Sequence, residues 1–134
     1  MMNRTGYKTP SERNAEGKNN NLRAPYEHRV MFDYSLVDET VKRIAEKFSP
    51  EKIIIFGSVA KGTADEYSDL DILVVMKSDK QPYERAVPIY LAVAGIRVPK
   101  DIIVLTPEEF AAQHDNEYSF ASEIAQTGVV AYEA

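Results

Sequence analysis

The chain has 134 residues, a formal net charge of −5 and no cysteine, which suits one domain and excludes disulfides and thiolate chemistry. It contains no apolar run near the roughly 20 residues that a membrane-spanning helix needs. No apolar segment follows the first charges, so we expect no secretory signal, and a cytoplasmic protein without a membrane partner is the default.

The charge is unevenly distributed along the chain. Residues 1–30 carry six Lys/Arg and three Asp/Glu, whereas residues 31–134 carry ten and eighteen. The first segment is polar and has no helical or strand period, so we predict a disordered tail over 1–30 and one domain over 31–134. An acidic domain is a poor general binder of nucleic acid, because neutralised phosphates supply most nonspecific affinity. We therefore expect no nucleic-acid partner, and favour a small or protein acceptor.

The first half of the domain reads as helix, strand, short helix and strand. Ser35 to Asp38 resembles a capping box and begins a helix that ends before Pro50. Continuous apolar runs predict strands over 52–56 and 70–76, the first buried on both faces. A short helix from Ser58 is expected between them.

The second half continues the alternation. A helix over 82–95 carries Pro88, so it either starts at Pro82 with a bend or starts near Val87. We predict a strand over 101–105, followed by a helix that Thr106 caps and that ends near His114. A last helix over 117–126 has Phe120 and Ile124 inward, with Ala121 as a further candidate, and an apolar tail after Gly128 packs back on the sheet. The expected fold class is α/β or α+β, a small sheet with helices packed on it.

The stretch from Ile53 to Met76 carries the candidate chemistry. Gly57 and Ser58 follow the first strand, and glycine together with helix-start N–H groups suits phosphate binding. Asp69 and Asp71 lie two residues apart at the start of the second strand, so they share one face. A pair of metal-binding carboxylates facing a phosphate-binding turn predicts nucleotide chemistry.

A third carboxylate, Asp101, begins the next strand. If the two strands are neighbours, Asp69, Asp71 and Asp101 converge. Three carboxylates are able to hold two Mg²⁺ ions about 4 Å apart, as in two-metal phosphoryl transfer.

The motif resembles that of the nucleotidyltransferase superfamily that includes DNA polymerase β. The signature is Gly-Ser, about ten residues and Asp-x-Asp, and here Gly57-Ser58, residues 59–68 and Asp69-Leu70-Asp71 match it. Asp101 matches the third acid of that family. The resemblance extends over roughly residues 36–132 and is greatest to the minimal nucleotidyltransferases, many of which are encoded beside a HEPN-type toxin and act as its antitoxin.

The resemblance implies a polymerase β-like fold with a mixed sheet and transfer of AMP from ATP to a hydroxyl of a partner, such as a tyrosine of a HEPN-like toxin. It implies that Gly57 and Ser58 hold the triphosphate, that Asp69 and Asp71 ligate two Mg²⁺ ions, with Mn²⁺ as a substitute, and that Asp101 ligates the acceptor-side metal and helps to take the acceptor's proton. Lys61 stands where many members carry Arg, so it keeps the charge for phosphate but not the planar fork.

Two other interpretations remain open from the sequence. The chain could be a non-catalytic antitoxin or scaffold that blocks a partner by contact. It could instead transfer the nucleotide to a small molecule, as antibiotic nucleotidyltransferases do. No base-reading residue is evident, so ATP as the donor rests on the resemblance.

Overall fold

The computed structural model describes residues 8–9 and 31–134. The predicted disordered tail, residues 1–30, lies outside the described residues apart from Lys8 and Thr9. The elements of the described part are, in chain order, α1 (Ser35–Phe48), β1 (Lys52–Phe56), α2 (Gly57–Lys61), β2 (Leu70–Val75), a 3₁₀ turn (Pro82–Glu84), α3 (Val87–Ala92), β3 (Lys100–Leu105), α4 (Pro107–His114), α5 (Phe120–Thr127) and β4 (Val129–Glu133).

The four strands form one sheet in the order β3-β2-β1-β4. Strand β1 pairs antiparallel with β2 and with β4, whereas β2 pairs parallel with β3. The predicted fold class, a small mixed sheet with helices packed on it, is confirmed. The apolar tail after Gly128 does pack back on the sheet, and it does so as the edge strand β4.

The two faces of the sheet are covered unequally. On the first face, Leu70, Ile72 and Val74 of β2 lie in the main core together with apolar residues of α1 and α3. On the second face, Leu73 and Val75 lie in a smaller cluster with Ile124 of α5, and Phe110 of α4 packs against it. Side chains alternate between the faces of a strand, so Asp71 and Asp101 belong to the second face.

Of the two capping boxes that the sequence predicts, the structure contains one. The Thr106 capping box is confirmed: the Thr106 side chain accepts from the Glu109 N–H, and the Glu109 side chain accepts from the Thr106 N–H. The capping box at Ser35 was wrong, because α1 begins after Tyr34, whose side chain makes no cap bond. The Asp33 carboxylate instead accepts from the Ser35 N–H at 3.0 Å.

Two further helices differ from the sequence expectation in extent. The segment over 82–95 divides into the 3₁₀ turn and α3, so of the two predicted starts the one near Val87 is correct for the α-helix. The last helix begins at Phe120 rather than at 117, because the Ser119 side chain accepts from the Ser122 N–H and caps it there. Within residues 8–9 and 31–134, no helix combines the length and apolar character needed to cross a bilayer.

Candidate active site

Asp71 and Asp101 are direct neighbours across two parallel strands. The register pairs Asp71 with Asp101 on one side and with Phe56 on the other. Asp69 precedes β2 by one residue and is exposed, as is Asp101. Burial, followed by the negative charges of Asp101 and then of Asp69, raises the pKa of the Asp71 carboxyl above its ordinary value. The structure therefore brings the three acids that the sequence singles out to one end of the second face.

Hydrogen bonds in the loop before β2 hold the backbone that leads into Asp69. Asp65 Oδ1 accepts from the Tyr67 N–H at 2.9 Å, and the Asp65 N–H donates to Ser68 Oγ at 2.9 Å. The Leu70 N–H then donates to the Pro99 carbonyl at 2.8 Å, which continues the parallel pairing to β3. Asp69 lies between these two sets of bonds, so its backbone is held on both sides.

The start of β3 is anchored on the side away from β2. The Ile102 N–H donates to the Tyr90 hydroxyl at 2.7 Å, which satisfies an N–H group on the open edge of the sheet. Lys100 Nζ donates to the carbonyls of Ile96 and Val98 at 2.7 and 2.8 Å, and burial lowers the pKa of its ammonium. These bonds flank Asp101 and hold its backbone against Asp71.

Gly57 lies against the Asp71 carboxylate. Its φ is +74°, and a Cβ at this position would lie 2.2 Å from Asp71 Oδ2. A side chain therefore does not fit while Asp71 keeps its position, and the positive φ independently favours glycine. The glycine of the Gly-Ser motif is explained by contact with the acid as well as by the turn.

Ser58 and Lys61 lie on α2, the short helix of which Gly57 is the first residue. The short helix expected from Ser58 is present but begins one residue earlier, and its N-cap is Phe56. Ser58 is half-buried, and its carbonyl accepts from the Thr63 N–H at 3.0 Å. Lys61 is exposed in the last turn. The hydroxyl and the ammonium are thus carried by one short element beside the acids.

Sequence reasoning missed an aromatic pair beside the acids. Phe56 is the cross-strand neighbour of Asp71, and its ring makes an edge-to-face contact with Phe120, with centroids 5.8 Å apart and an interplanar angle of 88°. Phe120 was expected to point inward but is 50% exposed, whereas Ala121 and Ile124 of the same helix are buried. The register of β1 on β2 would have revealed Phe56, but no sequence signal gives that register.

The donor set suits a hard cation such as Mg²⁺, because all three side chains are carboxylates. Burial first, and then the negative charges of Asp101 and Asp69, raise the pKa of Asp71, so the other two acids act electrostatically on this carboxyl. Among the described residues, however, no three His, Cys, Asp or Glu side chains form a ready-made metal centre. The electrostatic effect on Asp71 and the lack of a ready-made metal centre among the described residues are compatible, since charges act over longer distances than coordination bonds. The three carboxylates therefore fit Mg²⁺ by their chemistry.

Comparisons with known proteins give one family match and two individual similarities. A family model described as a nucleotidyltransferase domain matches residues 37–126. A protein of Methanocaldococcus jannaschii named "Putative protein adenylyltransferase MJ1305" is 46% identical over 46 residues, which are 33% of this chain and 31% of that protein. A crystal structure described as "a putative nucleotidyltransferase" from Sulfolobus solfataricus is 29% identical, with a TM-score of 0.49 over 72% of this chain and 76% of the other.

Proposed function

Because this chain belongs to the nucleotidyltransferase domain family, we propose that it transfers AMP from ATP to a hydroxyl of a partner protein. The matched residues contain Gly57, Ser58 and all three acids. The name of the M. jannaschii protein supports a protein as the acceptor, although the match spans about a third of that protein's length.

The observation that carries the proposal is the placement of Asp71. This carboxylate has Gly57 against one side and Asp101 as its register partner on the other. The proposed phosphate-binding turn and the third acid are thus both neighbours of the Asp71 carboxylate. Such convergence of strand ends from separate parts of the chain is what positions several groups around one reacting centre.

The reaction balances with the groups that are present. The acceptor's hydroxyl oxygen forms a bond to the α-phosphorus of ATP, the bond from that phosphorus to the oxygen bridging to the β-phosphate breaks, and pyrophosphate leaves. Asp101 takes the proton of the hydroxyl. Gly57 and Ser58 hold the triphosphate, and Lys61 supplies positive charge near it. Asp69, Asp71 and Asp101 would hold Mg²⁺, which when bound neutralises charge on the phosphates and lowers the pKa of the acceptor hydroxyl.

We also propose the kind of partner. The resemblance to minimal nucleotidyltransferases favours a HEPN-type toxin whose tyrosine accepts AMP, with this chain as its antitoxin. The excess of eight acidic over basic residues in 31–134 supports a protein rather than a nucleic acid as the acceptor. Because ATP is the proposed donor, we place the reaction in the cytoplasm.

The proposal is tested with purified protein, Mg²⁺ and ATP labelled at the α-phosphate, with and without lysate of the source cells. The Asp69→Asn/Asp71→Asn variant is compared with Asp79→Asn, which removes an exposed acid of the turn beyond β2. We expect a labelled protein band from the wild type and from Asp79→Asn, and none from the double variant. A band of equal strength from the double variant would overturn the proposal.

Other results would direct the function elsewhere. If no fraction shows acid-dependent label while the purified protein is folded and binds ATP, the non-catalytic antitoxin or scaffold replaces the enzyme. Binding of the partner that is unaffected by loss of the acids would support that outcome. Label in a small molecule would indicate a small-molecule acceptor, and label in RNA would contradict a protein acceptor.

A further inference from the structure

We propose that the aromatic pair Phe56–Phe120 binds the nucleobase of the donor nucleotide, with Phe120 as the stacking surface, and that stacking alone gives it a preference for purines. This inference rests on the proposed function, because it assigns a ligand to the same site. It concerns a part of the nucleotide that the acids and the Gly57-Ser58 turn do not reach.

The first step is the position of Phe56. It is the register partner of Asp71, so the two side chains lie side by side on the second face of the sheet. The chain continues from Phe56 directly into Gly57, which contacts the Asp71 carboxylate. The aromatic ring is therefore next to both the phosphate-binding turn and the central acid.

The second step is the side of the site on which the pair lies. Asp101 is on the β3 side of Asp71, whereas Phe56 and Gly57 are on the β1 side. In the proposed reaction Asp101 receives the acceptor's proton, so the acceptor approaches from the β3 side. The β1 side is then left for the donor nucleotide, whose base is separated from its α-phosphate by one sugar.

The third step is the state of Phe120. It is the first residue of α5, and one turn later Ile124 is buried in the cluster that includes Ile54. The helix thus follows β1, with Ile124 near Ile54 and Phe120 near Phe56. Phe120 nevertheless remains 50% exposed. Phe120 meets Phe56 edge to face, so the exposed half of its side chain is an aromatic surface on which a flat base is able to stack.

The fourth step is selectivity. Phenyl rings carry no hydrogen-bonding group, so this surface does not read the edge of a base. Stacking on an aromatic ring accepts every base, and preferences follow stacking strength. We therefore expect ATP and GTP to bind comparably and both to bind more tightly than UTP and CTP.

The experiment measures binding of ATP and of inorganic tripolyphosphate, each with Mg²⁺, to the purified full chain. Phe120→Ala and Phe120→Leu both remove the ring, and the second keeps apolar contact with Phe56. Tyr118→Ala is the matched control, since it removes an aromatic side chain that is 88% exposed and two residues away.

We expect both Phe120 variants to bind ATP about 5- to 100-fold more weakly than the wild type, with tripolyphosphate binding unchanged. Tyr118→Ala should match the wild type for both ligands. Phe120→Trp should restore the ATP affinity, which a merely structural role would not predict.

Three results would overturn the inference. The first is unchanged ATP affinity in Phe120→Ala, and the second is an equal loss of ATP and tripolyphosphate binding. The third is loss of ATP affinity in Tyr118→Ala alone. A wild-type protein that binds neither ligand would overturn the proposed function as well, so the two failures are distinguishable.

Discussion

Replacement of Gly57 by alanine separates the catalytic importance of this position from its importance for stability. The new Cβ would lie 2.2 Å from Asp71 Oδ2 but 3.2 Å from Asp71 Cγ and 3.5 Å from Asp71 Cβ. Only the end of the Asp71 side chain is closely opposed, so rotation of the carboxylate relieves the contact. The fold survives this rotation, but the carboxylate leaves its position beside the Gly-Ser turn.

The two effects have different magnitudes. Alanine at φ +74° costs roughly 1–2 kcal/mol, and the displaced Asp71 rotamer costs about 0.5–1.5 kcal/mol more. The lower entropy of the unfolded chain offsets about 0.4–1 kcal/mol. We therefore expect a net loss of roughly 0.5–3 kcal/mol, and each kcal/mol lowers the Tm of a domain of this size by about 4–8 °C. A carboxylate misplaced by about 1 Å is expected to lower the transfer rate about 100-fold.

The assay pairs thermal unfolding with transfer of labelled AMP at a temperature where the variant is fully folded. Gly95→Ala is the control, because the nearest atom to its new Cβ is Arg43 Nη1 at 4.0 Å and its φ is not positive. That variant should lose neither stability nor activity. If Gly57→Ala transfers AMP at the wild-type rate, or loses activity only in proportion to its unfolded fraction, the contact with Asp71 is not what the site requires.

Three further substitutions test the charges and the packing around the site. Asp71→Asn, measured without metal, should be more stable than the wild type at pH 7. Because the folded state raises the pKa of Asp71 above 3.8, the stabilising contribution of this group is fully present below pH 3.8 and is lost as the pH rises through the raised value. Urea unfolding from pH 7 down to pH 3.8 should show the gain of the variant vanish, and a less stable variant at pH 7 would contradict the argument. Glu109→Ala should cost about 1–2 kcal/mol after allowance for solvent screening. It removes the side-chain half of the capping box, the bond that Glu109 accepts from the Thr106 N–H, and the ion pair with Arg85, whose Nη1 lies 2.6 Å from Glu109 Oε1. The Glu109 pKa lies below its ordinary 4.5, mainly because of the Arg85 hydrogen bond, so this difference is present above pH 4.5 and should shrink as the pH falls through the lower pKa; a constant difference would refute the charge contribution. Gly128→Ala should cost about 1–3 kcal/mol in urea unfolding, because its Cβ would lie 2.7 Å from the Ile124 carbonyl oxygen and 2.9 Å from that of Ile55, and a neutral result would show that β4 shifts freely.

The sequence predicts local features of this fold well, because their causes are local. Apolar runs predict β1, β2 and β3 to within one residue at each end, and the Thr106 cap predicts the start of α4. The neighbourhood of Asp71 and Asp101 follows once their strands are adjacent, since each lies near the start of its strand.

Features that depend on distant pairing do not follow from the sequence. The ion pair of Arg85 with Glu109 joins residues 24 apart and is seen only after α4 packs. Phe120 lies one helical turn before Ile124, which is the spacing of an inward residue. Ile124 is buried in the cluster on the second face of the sheet, whereas Phe120 lies past the edge of that cluster and is half exposed. The position of a helix relative to the end of a sheet is a tertiary property, and hydrophobic period alone does not contain it.

The unequal cover of the sheet explains why the site lies where it does. The first face is buried along β2 from Leu70 to Val74, whereas on the second face α4 and α5 cover Leu73 and Val75 but leave the strand's beginning open. A carboxylate at Asp71 is therefore partly desolvated by its neighbours and still accessible to ligands. An apolar residue at position 71 would be partly exposed to water, and a carboxylate at position 73, the next position of β2 on the same face, would be buried among apolar side chains. The end of the helical cover thus leaves a level of β2 at which an acid is partly desolvated, so that its pKa is raised, and is still open to solvent.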